Sequence, residues 1–251
     1  MIQAYWYENG TLIRGMPVDF VMSFCSGIQT ADTDLSAEII SLVGGGGKTT
    51  LMHHLAGEFQ KRGLNTAVMT TTRMQKPEKP CMSSGECECS WESGKYAVCG
   101  RQTSDGKFGS PQNEFVRWLK KNADILLIEA DGAKRMPCKV PAGYEPVILP
   151  DTDMVIGVMG IDAYSRPVGE VCFRAELACS LLGCSTDHCL DSDDMAGILL
   201  SGQGTKKDTG TRKYMIVLNK CDDAGSLKKA EAVAHRLEEK GHTGIMLTTL
   251  K

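Results

Sequence analysis

Four consecutive glycines, Gly44, Gly45, Gly46 and Gly47, run directly into Lys48, Thr49 and Thr50. Phosphate oxygens need several backbone N–H groups turned inward, and a Cβ on those residues would stand in the way. A helix that starts at such a loop adds the positive end of its dipole. Lys48 can then reach the β- and γ-phosphates, and the Thr49 hydroxyl can serve Mg²⁺. The full phosphate-loop spacing asks for glycine five residues before Gly47, where this chain has Leu42, so the loop is a shortened one. The ligand it implies is a nucleoside triphosphate, GTP or ATP, with Mg²⁺.

Two further segments supply matching chemistry. Glu129-Ala-Asp131-Gly-Ala-Lys134-Arg135 follows the apolar run Ile125–Ile128. Carboxylates at the carboxyl edge of a parallel sheet lie where such sheets bind ligands. One of the pair can hold Mg²⁺ through water while the other orients a water or a substrate, and sequence alone does not allot the two jobs. Asp131 is the metal candidate, Lys48, Glu129 and Asp131 are the catalytic candidates, and Lys134 and Arg135 are candidates for an anionic partner. Asn219-Lys220-Cys221-Asp222 follows the run Tyr214–Leu218. In this tetrad Asp222 would accept from the ring N–H and exocyclic amine of guanine, while Asn219 would fix the loop and face the base. Adenine lacks that ring N–H and would leave the carboxylate unpaired, so GTP is favoured over ATP.

Two other groups are weighed with these. Thr71, Thr72 and Arg73, at the end of the run Asn65–Thr70, could approach the metal or the terminal phosphate. Cys81, Cys87, Cys89 and Cys99 invite a metal reading, but their Cys-x5-Cys-x-Cys-x9-Cys spacing lacks the paired knuckles of structural zinc sites.

The elements that must position these residues alternate along the chain. Glu38–Val43 reads as a strand, and Leu51, Leu55 and Phe59 recur at helical spacing behind the glycines. Strands follow at 65–70, 124–129, 153–159, 214–218 and 244–248. Helices are expected from Ser110-Pro111 through Leu119, at 175–182, at 193–200, and from a Ser226 cap to Lys240. That order predicts an α/β fold, a P-loop NTPase-like three-layer sandwich with a mostly parallel sheet. Residues 1–34 read as an N-terminal hairpin about Asn9-Gly10 followed by a tether, and 35–251 as one nucleotide-binding domain with a Cys-rich insertion at about 75–110.

Composition narrows the function classes. The chain has 251 residues, 42% hydrophobic and 24% charged, and its 27 glycines exceed the average of about 7%. A net charge of −3 excludes the basic footprint of a nucleic-acid binder. No apolar run reaches the ~18 residues of a membrane span, and no secretory signal opens the chain. Eleven cysteines, an odd number, do not read as a disulfide framework, and the cytoplasm is the expected compartment.

The combination Val43-Gly-Gly-Gly-Gly-Lys-Thr-Thr50, Thr70-Thr-Thr-Arg-Met74, Glu129–Arg135, Pro137-x-Lys-x-Pro-Ala142 and Glu145-Pro-Val-Ile148 resembles the YqeC family of selenium-dependent hydroxylase accessory proteins. Phe173-Arg174-Ala-Glu176 and Leu218-Asn-Lys-Cys-Asp222 fit the same pattern. The resemblance covers residues 35 to about 250. It implies a P-loop nucleotide-binding fold and a role in maturing selenium-dependent molybdenum hydroxylases, with the hydroxylase or its cofactor machinery as partner. Two other readings stand beside it. The Gly-x-x-Gly-Lys-Thr-Thr loop also resembles that of the Mur peptide ligases, which would make the protein an ATP-dependent ligase or transferase. The third is a non-hydrolysing scaffold stabilised by bound nucleotide.

Overall fold

The computed structural model describes residues 3–25, 36–74, 77–104 and 108–249. The chain opens on β1 (Ala4–Glu8) and β2 (Thr11–Gly15), an antiparallel hairpin. Its turn residues Asn9 and Gly10 both take positive φ, 50° and 72°, as a tight hairpin turn asks. A helix, α1 (Pro17–Phe24), stands in the stretch read as a tether. Pro17 opens it, and Val18 and Val21 bury against the same core as the helix behind the glycines. The rest of that expected tether, 26–34, lies outside the described residues.

Then β3 (Glu38–Gly44), buried along its whole length, passes through the glycines into α2 (Lys48–Lys61) and β4 (Thr66–Thr70). The stretch expected as a Cys-rich insertion contains β5 (Arg73–Met74), α3 (Ser84–Glu92), β6 (Ala97–Val98), β7 (Arg101–Gln102) and β8 (Phe108–Gly109). Its residues 75–76 and 105–107 lie outside the described part. The next helix, α4 (Asn113–Asn122), starts after Gln112, later than the Ser110-Pro111 signal suggested. It leads into β9 (Ile125–Glu129), β10 (Cys138–Lys139), β11 (Met154–Gly160), α5 (Val168–Val171) and β12 (Cys172–Phe173). The chain closes with α6 (Ala175–Leu182), α7 (Ser192–Leu200), β13 (Lys213–Asn219), α8 (Ala224–Glu239) and β14 (Ile245–Thr248). Asp223, not Ser226, caps α8; Ser226 is its partner three residues on, and the two side chains and backbone N–H groups satisfy one another.

Nine of these strands form one sheet in the order β2-β1-β14-β13-β11-β3-β9-β4-β6. From β14 to β6 every neighbouring pair is parallel; β1 joins β14 antiparallel and β2 joins β1 antiparallel. Alternate strand residues face opposite sides. Ile40, Leu42, Ile125, Leu127 and Val217 pack with α1 and α2, whereas Val43, Val155, Ile216 and Leu218 pack with α7 and α8. Ile39, Leu126 and Ile128 face α3 and α4. Helices therefore cover both faces of a mostly parallel sheet. Among the described residues no helix is long and apolar enough to cross a membrane.

Register brings the chemistry to one edge. Leu42 and Thr70 both pair with Glu129, Gly44 pairs with Val158, and Gly160 pairs with Asn219. The carboxyl ends of β3, β4, β9 and β13 thus deliver Gly44–Thr50, Thr71–Arg73, Glu129–Arg135 and Asn219–Asp222 to the same rim of the sheet.

Candidate functional site

The glycine loop is held by its neighbours before it holds anything else. The Gly44 N–H donates to Asp131 Oδ2 at 3.1 Å, Gly45 N–H to the Val158 carbonyl and Gly46 N–H to the Met136 carbonyl, both at 2.9 Å. A Cβ on Gly46, whose φ is +74°, would lie 2.0 Å from the Gly160 nitrogen. The glycines here allow close backbone approach to β11 and to residues 136–137. The donors they leave over are the N–H groups of Gly47, Lys48, Thr49 and Thr50, because the first hydrogen bond of α2 runs from Leu51 N to Gly47 O. Free N–H groups at the start of a helix are the kind of donors that bind an anion.

Lys48 is buried and turned back on its own loop, donating to the Gly44 carbonyl. Its Nζ stands 3.1 Å from Asp131 Oδ1 and 3.9 Å from Glu129 Oε1. Asp131, 2% exposed, is shared: Lys139 Nζ lies 3.0 Å from its Oδ2. Its Oδ1 receives no hydrogen bond, since Lys48 approaches it out of line. The Thr49 hydroxyl donates to Glu129 Oε2 at 2.9 Å. Burial raises the Glu129 carboxyl above the usual carboxylate value, opposed by Lys48 and by the Thr49 hydrogen bond. A hydroxyl and two carboxylates, one with an oxygen lacking a donor, make the hard oxygen set that suits Mg²⁺.

Lys48, Thr49 and Glu129 open on a cleft of about 1950 Å³, beyond the ~300–1,000 Å³ of common ligand pockets, whereas Asp131 is buried and does not line it. Gly45–Thr50, Thr72, Arg73, Glu129, Lys134, Arg135 and Lys220 line it. Thr71 points elsewhere, donating to the Val147 carbonyl.

Asn219 does not line the cleft. It is fully buried beneath the loop, donating through Nδ2 to the Gly46 carbonyl at 2.8 Å and accepting from Thr248 and from the Lys220 N–H through Oδ1. It bonds the loop from beneath without facing the cleft. Lys220 pairs with Asp162 at 2.7 Å, and Asp222 is half-buried outside the cleft wall.

The model of the family described as YqeC protein matches residues 40–176, more than half of the chain. The chain belongs to the YqeC family. It is 29% identical over 209 residues to the protein named Uncharacterized protein YqeC from Escherichia coli (strain K12), an alignment covering 76% of this chain and 82% of that one. The family match contains the glycine loop, the Glu129–Arg135 segment and the residues up to Glu176, and so nearly all of the cleft wall.

Within that matched span, three cleft residues, Tyr144, Glu145 and Arg174, and the buried Lys139 carried no assigned role in the sequence. Lys139, in the two-residue strand β10, is 1% exposed and bridges Asp131 and Glu145 at 3.0 Å each. Arg174 donates to Glu145 Oε2 at 2.8 Å and to the Tyr144 hydroxyl at 3.0 Å. Burial pushes Glu145 up, but hydrogen bonds from Lys139 and Arg174 outweigh it and hold the carboxyl below its usual value. A buried lysine between proline-flanked apolar residues, as in Pro137-Cys-Lys-Val-Pro141, is the signal that marks the group.

The cysteines sit apart from the cleft. Cys87 Sγ is 3.3 Å from Cys99 Sγ, and the Cys87 thiol, then burial, holds Cys81 well above the usual thiol value. Cys89 is exposed, and all eleven cysteines are free. Among the described residues no three His, Cys, Asp or Glu side chains gather to cage a metal.

Proposed function

We propose that the protein binds a purine nucleoside triphosphate with Mg²⁺ at the glycine loop, and that GTP is the preferred nucleotide. The observation that carries this reading is the set of N–H groups from Gly47 to Thr50 beside a lysine neutralised only by buried carboxylates. An incoming triphosphate takes those donors and competes with Asp131 for Lys48. Thr49 and Asp131 are the residues that would hold Mg²⁺, whose charge would offset that of the phosphates, and Glu129, its carboxyl raised by burial, is the group suited to accept a proton from water. The guanine preference rests on Asn219-Lys220-Cys221-Asp222 at the end of β13, on the rim that carries the loop. The resemblance to accessory proteins of selenium-dependent molybdenum hydroxylases gives the activity its setting, nucleotide-gated interaction with the hydroxylase or its cofactor machinery.

Calorimetric titration of the purified chain with GTP and ATP, with and without Mg²⁺, tests the reading. Mg²⁺-dependent binding that favours GTP and disappears in Lys48→Ala is expected. Equal affinity for the two nucleotides removes the guanine assignment, and binding unaffected by Lys48→Ala removes the site.

A further inference from the structure

The cleft is larger than a triphosphate needs, and its wall next to the glycine loop, from Lys134 to Arg174, is cationic. Three positive groups converge on one ring: Lys134 Nζ is 5.1 Å, Lys139 Nζ 5.7 Å and Arg174 Cζ 4.8 Å from the Phe173 centroid. The ring's negative faces offset part of their mutual repulsion. Glu145 and Asp131 offset more for Lys139 and Arg174. Lys134 and its neighbour Arg135 have no carboxylate partner among the described residues, and both line the cleft. Arg174 adds a decisive detail, since its Nε is buried and has no hydrogen-bond acceptor. A buried guanidinium N–H without an acceptor is costly, and a bound anion supplies the acceptor.

Backbone conformation points the same way. Lys134, Arg135 and Arg174 all have left-handed φ, 46°, 63° and 69°. Long side chains seldom adopt that region, and such strain gathers where a fold must present particular groups.

We propose that this wall is a second subsite, adjoining the glycine loop, for the phosphate of a phosphorylated small molecule. A phosphate ester carries close to two negative charges at neutral pH and three acceptor oxygens, whereas a carboxylate carries one charge. Arg174 presents its fork to the phosphate oxygens, and Lys134 and Arg135 neutralise the remaining charge. Tyr144, 74% exposed and stacked by the Arg174 guanidinium, leaves a ring face at the mouth for the rest of the molecule. The subsite does not depend on which base the loop takes, nor on the loop binding nucleotide at all.

The test uses the full chain carrying Lys48→Ala, so that the glycine loop is disabled, and inorganic pyrophosphate as probe. Calorimetry is expected to find one pyrophosphate bound per chain. Adding Lys134→Asn and Arg135→Asn, which removes both charges and keeps a residue tolerant of left-handed backbone, is expected to weaken it at least tenfold. Arg174→Asn in the Lys48→Ala chain is expected to do the same, with thermal melting to identify a variant that fails to fold; the exposed Lys134/Arg135 pair then decides alone. Citrate, a carboxylate probe, is expected to bind more weakly than pyrophosphate. No pyrophosphate binding to Lys48→Ala, undiminished binding after the charge removals, or tighter binding of citrate each overturns the proposal. Loss of GTP binding in the unaltered chain, with pyrophosphate retained in Lys48→Ala, overturns the nucleotide reading instead.

Discussion

Lys48 Nζ lies 3.1 Å from Asp131 Oδ1, with both side chains almost wholly withdrawn from water, and Lys139 holds the other oxygen of the same carboxylate at 3.0 Å. One carboxylate therefore compensates two buried ammonium groups. Removing one member of a buried ionic network leaves charge without compensation, which costs more than the pair itself contributes. Asp131→Asn is expected to destabilise the chain by about 3–5 kcal/mol in urea unfolding. Adding Lys139→Met should restore part of the loss, so that the double variant is more stable than the two single effects added, by about 0.5–3 kcal/mol. Strict additivity would mean that the two groups do not share the carboxylate in solution.

The loop's glycines can be tested by separating strain from close approach. Gly46 and Gly63 have similar positive φ, 74° and 81°, but a Cβ on Gly63 meets nothing within 4 Å while one on Gly46 lies 2.0 Å from the Gly160 nitrogen. Gly63→Ala is expected to lose about 1–2 kcal/mol, the cost of left-handed backbone. Gly46→Ala must also push β3 away from β11 and is expected to lose clearly more. Matched urea midpoints for the two variants would show that the contact with Gly160 is not present.

The alternation of strands and helices was legible because burial imposes periods. Glu38–Val43 is apolar throughout since both faces of β3 are covered, and the Leu51, Leu55, Phe59 spacing marks the buried stripe of α2. Even the ends of α6 could be read from residues 175–182. The helix α1 escaped because Val18, Phe20, Val21, Met22 and Phe24 are apolar around most of its circumference, which leaves no helical period to read. The helix α3 buries only Cys87 and Trp91, too few to set a period. The glycine loop and Glu129–Arg135 stood out as motifs, each contiguous in the chain. Lys139, Glu145 and Arg174 come from separate segments, each with a short motif of its own, and the two-residue pairing of β10 with β12 that helps bring them together leaves no period to read.

Within the Asn219–Asp222 tetrad the two ends should behave differently. Asn219 bonds the Gly46 carbonyl and Thr248, both out of water, and the Lys220 N–H, which is half-buried. Asn219→Ala is expected to cost about 1–3 kcal/mol of stability through the groups it leaves unpaired. Because it loosens the loop, it should weaken GTP and ATP alike. Asp222→Ala should instead lower the ratio of GTP to ATP affinity, measured by competition. A base-selective effect of Asn219→Ala would show that this side chain reaches the nucleotide directly.

Glu129 offers a test in pH. Its carboxyl is raised, first by burial, with Lys48 and Thr49 opposing. A carboxyl whose folded value lies above its unfolded value binds a proton more readily in the native state. Stability attributable to it is thus greatest below the unfolded value, near 4.5, and declines as pH rises through the interval up to the raised folded value. Glu129→Gln keeps an acceptor for the Thr49 hydroxyl and removes the titration. The variant should show a flatter stability profile than the unaltered chain across that interval, with the gap between the two growing from pH 4 to pH 7 in its favour. The expected gain is tempered by Lys48, which loses a carboxylate 3.9 Å away but keeps Asp131 nearer, at 3.1 Å. Urea midpoints taken at half-unit steps of pH read the difference directly, and parallel profiles for the two proteins would mean that Glu129 is ionised as freely in the native state as in the unfolded chain.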